Sequence, residues 1–122
     1  MRWAAIPMLL AAISGCGNSS TYNDITGNYS LKGSSSAELL DINEGGRYVH
    51  RFDGRIESGE WRLGGEKGAG CLEIWMDGYS KRSGNSGAWV RHDTQVFCVE
   101  RNIFGKTYIV VSYDSGVYFE KK

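Results

Sequence analysis

Hydrophobic and polar residues alternate with a period of two from Gly27 to the C-terminus, which is the pattern of strands that bury one face. Glycine-containing turns separate the runs, and no run shows the 3.6-residue period of an amphipathic helix. The runs cover residues 28–32, 37–42, 47–52, 60–63, 71–76, 88–101, 106–113 and 117–120. The pattern predicts an all-β domain.

Short strands joined by short turns in chain order predict an antiparallel up-and-down meander of about eight strands. That number is enough to close into a small barrel, which removes the exposed edges that an open sheet presents. The alternation is interrupted at two places. Polar residues 77–87 predict a long loop, and the lapse near Asp93 predicts a bulge or break in the following strand.

A glycine followed two residues later by an aromatic residue recurs where a turn leads into a strand. These triplets start at Gly27, Gly46, Gly59, Gly87 and Gly116. The rhythm, with Gly27-Asn28-Tyr29 and Gly59-Glu60-Trp61, is similar to that of the small lipocalin-like lipoproteins of bacterial envelopes. The resemblance implies one lipocalin-like barrel over residues 26–122, with Tyr29 where lipocalins carry a tryptophan.

The N-terminus has the features of an export signal. Arg2 precedes an apolar run over residues 4–13, which has the length of a signal-peptide core and about half of the ~20 residues that cross a bilayer. Ile13-Ser14-Gly15-Cys16 then resembles the lipobox of bacterial lipoproteins. The resemblance implies removal of residues 1–15 and lipidation of Cys16, and the polar segment that follows, up to residue 25, is expected to be a flexible tether.

Acyl chains on Cys16 would hold the protein stably in a membrane. Gly17 stands where many lipoproteins of the inner membrane carry aspartate, which implies the outer membrane, with the domain facing the periplasm. The expected partner at this end of the chain is therefore the membrane itself, through the lipid anchor.

Charge distribution and cysteine count limit the partners and metal sites that the domain can have. The 14 basic and 14 acidic residues are intermixed, so no basic stripe indicates a nucleic-acid partner. With Cys16 lipidated, Cys71 and Cys98 remain as an even pair in an oxidising compartment, and a disulfide between them is predicted. Two cysteines without a nearby histidine pair are too few ligands for a zinc site. We expect a monomer without a metal ion or cofactor.

No catalytic set can be assembled from the sequence. Gly105-Lys106-Thr107 ends like a phosphate-binding loop, but Glu100 stands where that loop has its first glycine, so plain turn residues are expected. His92 and Asp93 are neighbours in a predicted strand and would point to opposite faces. The sequence therefore predicts that the protein is not an enzyme.

Two functions remain open at this point. The first is an envelope lipoprotein whose barrel binds a small amphipathic ligand or an envelope component. The second is an immunity protein or inhibitor that neutralises a periplasmic enzyme or toxin, with residues 77–87 as the inserting loop. Trp89, which the strand phase places opposite the aliphatic face, would add a recognition surface. The candidate binding residues are His50, Tyr79, Lys81 and Arg82. For His50, a hydrogen-bonded core residue and a polar contact in a binding cup are both open.

Overall fold

A computed structural model describes residues 25–64, 71–83 and 87–122. Its strands are β1 (Gly27–Lys32), β2 (Glu38–Asn43), β3 (Arg47–Phe52), β4 (Arg55–Leu63), β5 (Leu72–Arg82), β6 (Trp89–Arg101), β7 (Thr107–Ser112) and β8 (Val117–Lys121). Each strand pairs antiparallel with the next, and β8 pairs with β1, so the sheet closes into an up-and-down barrel. The prediction of an all-β, lipocalin-like meander of eight strands is confirmed.

The predictions for the first 24 residues lie outside the described part of the chain. They comprise the signal peptide over residues 1–15, the lipidated Cys16 and all but the last residue of the tether. Within the described ranges, no helix is long and apolar enough to cross a membrane.

Local turn chemistry sets the register of the hairpin that matters most for the interior. Between β3 and β4, Phe52 pairs with Arg55 across Asp53 (φ 51°) and Gly54 (φ 73°), so both turn residues are left-handed. Aspartate and glycine tolerate this conformation, and the twist of such a turn matches that of the strands. Two pairs further along, the register places His50 opposite Glu57.

Side chains fill the interior of the barrel. The buried apolar residues are Ile25, Tyr29, Leu40, Ile42, Tyr48, Phe52, Trp61, Ile74, Met76, Tyr79, Phe97, Ile109 and Phe119. Ile25 belongs to this core, and its carbonyl oxygen accepts a hydrogen bond from the Tyr29 hydroxyl at 2.6 Å. The alternation of the strands thus produces a packed core of large aromatic and aliphatic groups, as expected for a barrel of this strand number.

Cys71 and Cys98 form the predicted disulfide, with their Cα atoms 5.7 Å apart. Cys71 immediately precedes β5, whereas Cys98 lies within the neighbouring strand β6. The bridge therefore ties the connection between β4 and β5 to the wall of the barrel.

Two predictions about strand length were wrong. Residues 77–87 do not form a long loop, because β5 continues to Arg82 and pairs with β6 as far as Trp89. β6 is likewise unbroken near Asp93, and the irregular residue is Gly78 on the opposite strand, with φ 70°. The backbone N–H and C=O groups of these two strands bond to each other whichever side chains the strands carry. Where both faces of a strand are partly exposed, its sequence need not alternate between apolar and polar residues. The connection shrinks to residues 83–88, of which 84–86 lie outside the described residues.

Up-and-down topology sorts the connections onto two ends of the barrel. The start of β1, the end of β8 and the connections β2–β3, β4–β5 and β6–β7 lie at one end, which we call the N-terminal end. The connections β1–β2, β3–β4, β5–β6 and β7–β8 lie at the other, which we call the distal end. The segment that precedes the barrel therefore leaves from the end opposite the distal connections.

Candidate functional site

The wall of the barrel changes character between β4 and β5. β4 pairs with β5 only over Trp61–Leu63, although the same strand pairs with β3 from Arg55 to Glu60. Towards the distal end, side-chain hydrogen bonds replace the backbone hydrogen bonds between β4 and β5. The two carboxylate oxygens of Glu57 accept hydrogen bonds from the backbone N–H and the hydroxyl of Ser80, both at 2.7 Å. The Glu57 side chain therefore links β4 to β5 where the backbone hydrogen bonds between these two strands end.

The same carboxylate belongs to a buried ionisable cluster centred on His50. Nδ1 of the completely buried ring lies 2.9 Å from Glu57, and Nε2 lies 2.8 Å from Glu38. Each ring nitrogen thus lies within hydrogen-bond distance of one carboxylate, and a protonated ring would donate to both. Because burial of charged groups is costly unless they are paired, the three side chains depend on one another.

Aromatic rings enclose the imidazole of His50. The Phe52 and Tyr79 rings stack on it, with centroids at 4.5 and 4.4 Å. Burial raises the pKa of Tyr79 well above its ordinary value, and the charges of Glu38 and Glu57 raise it further. Burial is also the main cause of the raised pKa of Tyr48, whose hydroxyl donates to the Asp77 carbonyl oxygen at 2.6 Å.

These tyrosines predict a loss of stability at alkaline pH. A folded-state pKa above the unfolded value of about 10 means that the folded chain binds more protons, so stability is unaffected below pH ~10 and falls as pH rises above it. Urea unfolding of the wild type and Tyr79→Phe across this range should show a shallower fall for the variant. Tyr118→Phe, at a half-buried position, is the control. Equal slopes for the wild type and Tyr79→Phe would contradict the assignment.

A recess of about 170 Å³ opens at the distal end directly above the cluster. Its lining includes the serines 34–36 of the β1–β2 connection, together with Lys81, Arg82 and Trp89. Arg82 lies over the Trp89 ring, with its guanidinium carbon 5.2 Å from the ring centroid, and Trp89 in turn packs on Phe52 at 4.3 Å. Trp89 thus lies half-buried at the mouth of the barrel, and its predicted place on the outer face was wrong.

The mouth is the first of three adjoining recesses. The second, of about 370 Å³, shares the serines 35 and 36 and Arg82 with it. The third, of about 310 Å³, shares Asp53 and Gly54 with the second and is lined by Ile56, a side chain that is 71% exposed. The distal end therefore carries a continuous, shallow and uneven surface.

One polar atom at this mouth is left without a partner. Among the described residues, the indole Nε1 of Trp89 is shielded from solvent and makes no hydrogen bond. Such orphaned donors are rare in native proteins and call for an explanation. A turn of the indole ring that exposes this N–H would let a bound molecule supply the acceptor.

The structure brings together most of the residues that the sequence singled out. Tyr79, Lys81 and Arg82 line the distal recess, with Tyr79 itself buried, while His50 lies beneath them and does not reach the surface. His92 is exposed on β6, at the position paired with Tyr79.

Sequence reasoning missed Glu38, Glu57 and Ser80. A signal for Glu57 was present, because a two-residue turn at Asp53-Gly54 necessarily sets it opposite His50. Glu38 follows in the same way from the β2–β3 register, in which it pairs with Phe52 next to His50 on the same face. Ser80 depends on the approach of β5 to β4 and had no local signal.

The arrangement does not resemble a nucleophilic catalytic set. The Ser80 hydroxyl donates to Glu57 rather than to an imidazole, and both nitrogens of His50 face carboxylates. In the part of the chain that the structure describes, no group of three His, Cys, Asp or Glu side chains is placed to hold a metal ion. Gly105-Lys106-Thr107 lies in the β6–β7 connection and the first residue of β7, as the turn interpretation predicted.

Fold and site together define a class: a small eight-stranded barrel with a packed interior and a shallow basic and aromatic surface at one end. Comparison with known proteins adds no further identity, since no family model, curated protein or solved structure matches the chain. Function is therefore argued from the site itself.

Proposed function

We propose that this protein is a non-enzymatic, lipid-anchored protein of the bacterial envelope that binds a protein partner through the distal end of its barrel. The anchor is the lipidated Cys16, and Gly17 favours the outer membrane with the domain in the periplasm. The observation that carries the binding role is the Arg82–Trp89 pair at the mouth of a barrel whose interior is already full.

The packed interior favours a protein partner over a small ligand. Pockets that enclose a drug-sized ligand have volumes of roughly 300–1,000 Å³ and bury most of its surface. Here Tyr48, Phe52, Trp61 and Ile109 occupy the interior, and the mouth offers about 170 Å³. The adjoining recesses of about 370 and 310 Å³ are shallow and open to solvent, so they would not enclose a ligand. That space suits a side chain projecting from a partner, and it favours an envelope protein over a small amphipathic molecule.

The chemistry of the mouth indicates what such a side chain would be. Lys81 and Arg82 border the recess, and the unpartnered N–H of Trp89 lies at the same place. A partner carboxylate would pair with these cations, and it would accept from the indole if the ring turned to expose its N–H. Arginine and tryptophan are also the residue types that contribute most to binding when they lie near the centre of an interface.

Neutralisation of a periplasmic enzyme or toxin is the second form of the same function. The observation that favours it is the position of Lys81 and Arg82 at the end opposite the anchored segment, where they could reach an acidic cleft. The inserting element would be this rim rather than the loop expected from the sequence, since residues 77–82 belong to β5.

Site-specific photo-crosslinking in the producing bacterium tests the proposal. A crosslinking amino acid at Arg82 should give a discrete protein adduct, whereas the same group at the exposed Glu44, at the N-terminal end, should give none. Mass spectrometry of the purified protein measures acylation of Cys16 in parallel. A stoichiometric lipid or other small molecule found instead of a protein adduct would support the ligand-binding alternative.

With the partner in hand, Arg82→Glu should weaken binding by about thirtyfold or more, as expected for loss of a residue worth ~2 kcal/mol at an interface. Arg47→Glu, an equal change of charge at the N-terminal end, should leave the dissociation constant within about twofold, because rim charges far from an interface contribute little. Equal effects of the two substitutions would contradict recognition through the distal end.

A further inference from the structure

Two large apolar side chains protrude from the connection between β6 and β7. Ile103 is 92% exposed and Phe104 is 87% exposed, so both are almost free of contact with the rest of the barrel. Adjacent large apolar groups at such exposure are uncommon on a monomeric soluble domain and mark surfaces that meet another phase or molecule. We call these two residues the apolar tip.

An ordered turn holds the apolar tip in place. The side-chain oxygen of Asn102 accepts hydrogen bonds from the backbone N–H groups of Phe104 and Lys106, both at 2.9 Å. The Asn102 amide nitrogen donates to the Tyr108 hydroxyl, and Gly105 adopts φ 81° to close the turn. Asparagine and glycine are suited to these roles. The exposure of the tip is thus a property of a defined turn.

The apolar tip lies at the N-terminal end of the barrel. The β6–β7 connection and the start of β1 are at this same end, and Ile25 is packed into the core there. Ile25 lies nine positions after Cys16, and nine steps along the chain span at most about 30 Å when extended. A lipid anchor on Cys16 therefore keeps this end of the barrel near the membrane.

Basic and acidic residues both lie beside the apolar tip, with the basic ones in a small excess. Arg101 and Lys106 flank the turn, and Lys122 ends the chain at the same end of the barrel. Acidic groups are present as well: Glu120 lies 3.9 Å from Lys106, and Glu100 precedes Arg101. Basic residues next to an exposed apolar group favour contact with anionic headgroups.

We propose that the apolar tip inserts into the lipid–water interface of the membrane that holds Cys16, and so orients the barrel with its distal end away from the bilayer. The inference rests on the proposed function for the anchor, and it adds a second membrane contact made by the folded domain. Its consequence is that Lys81, Arg82 and Trp89 face the space from which a partner approaches.

A fluorescent label that reports polarity, attached to a single new cysteine, tests insertion in the anchored protein. Ile103→Cys is the test position and Ser115→Cys, in the distal β7–β8 connection, is the matched control. The acylated protein is reconstituted in vesicles of phosphatidylethanolamine and phosphatidylglycerol. The label at position 103 should shift to shorter emission wavelength and resist quenching by iodide, whereas the label at position 115 should behave as in solution.

An unanchored chain of residues 17–122 provides the second arm, since all eight strands lie within it. Its binding to the same vesicles should fall about tenfold or more in Ile103→Ser/Phe104→Ser, with thermal unfolding unchanged. Ile56→Ser, which removes an exposed apolar side chain at the distal end, should bind as the wild type does.

The outcomes separate the anchor from the apolar tip. A protein that lacks acyl chains on Cys16 would defeat the proposed anchor, while the unanchored chain would still measure the tip. A protein that is acylated and floats with vesicles, but whose label at position 103 stays open to iodide, would overturn the inference alone. If the wild-type chain forms a dimer that Ile103→Ser/Phe104→Ser abolishes, while vesicle binding is unchanged, the apolar tip contacts a second copy of the chain and membrane insertion is overturned.

Discussion

Replacement of His50 by leucine is expected to lower the free energy of unfolding by about 3–5 kcal/mol, which is the usual effect of breaking a buried ion pair from one side. The substitution leaves the mostly buried carboxylates of Glu38 and Glu57 without the imidazole that pairs with both of them. It also removes the ring on which Phe52 and Tyr79 stack. Urea unfolding monitored by circular dichroism measures the change.

His92→Leu is the matched control for this experiment. His92 is exposed on the outer wall, so its replacement should change stability by no more than about 0.5 kcal/mol. Glu38→Gln added to His50→Leu should recover part of the loss, because the neutral amide removes one of two unpaired carboxylates. If His50→Leu unfolds at the same urea concentration as the wild type, the three side chains do not form an interdependent cluster.

Removal of the disulfide is expected to have a similar effect. The cysteines are 27 residues apart, and a crosslink of that separation restricts the unfolded chain by an amount worth about 3.5 kcal/mol. The double variant Cys71→Ser/Cys98→Ser should lose roughly this free energy, which is a large part of the stability of a small domain.

The wild type under reducing conditions offers a control that changes no residue. It should unfold at the same urea concentration as the double variant, and a reducing agent should have no effect on that variant. A loss well below 1 kcal/mol would show that the unfolded chain gains little freedom when the bridge is absent.

The barrel could be predicted from the sequence because its signals are local. Alternation along the chain marks which face of a strand is buried, and turns such as Asp53-Gly54 set the register between neighbours. The position of Glu57 opposite His50 follows from the same turn. Closure followed from the number of strands, and the disulfide from the even pair of remaining cysteines.

The failures concern segments whose structure depends on distant partners. Residues 77–82 are too polar and glycine-containing to appear as a strand, yet β6 pairs with them as far as Trp89. Trp89 was predicted on the wrong face because only the alternation within β6 was used. In the structure the Trp89 ring packs on Phe52 of β3 at the mouth of the barrel. Such non-local contacts override weak local preferences.

The sequence by itself therefore determined the class of fold and the disulfide pair. Only the tertiary structure decided that the barrel interior is full, that His50 belongs to a buried ion cluster, and that the Arg82–Trp89 pair and the apolar tip lie at opposite ends. The physical reason is that alternation and turn chemistry act between neighbours in the chain. Burial, pairing of charges and the two ends of the barrel exist only once β8 has met β1.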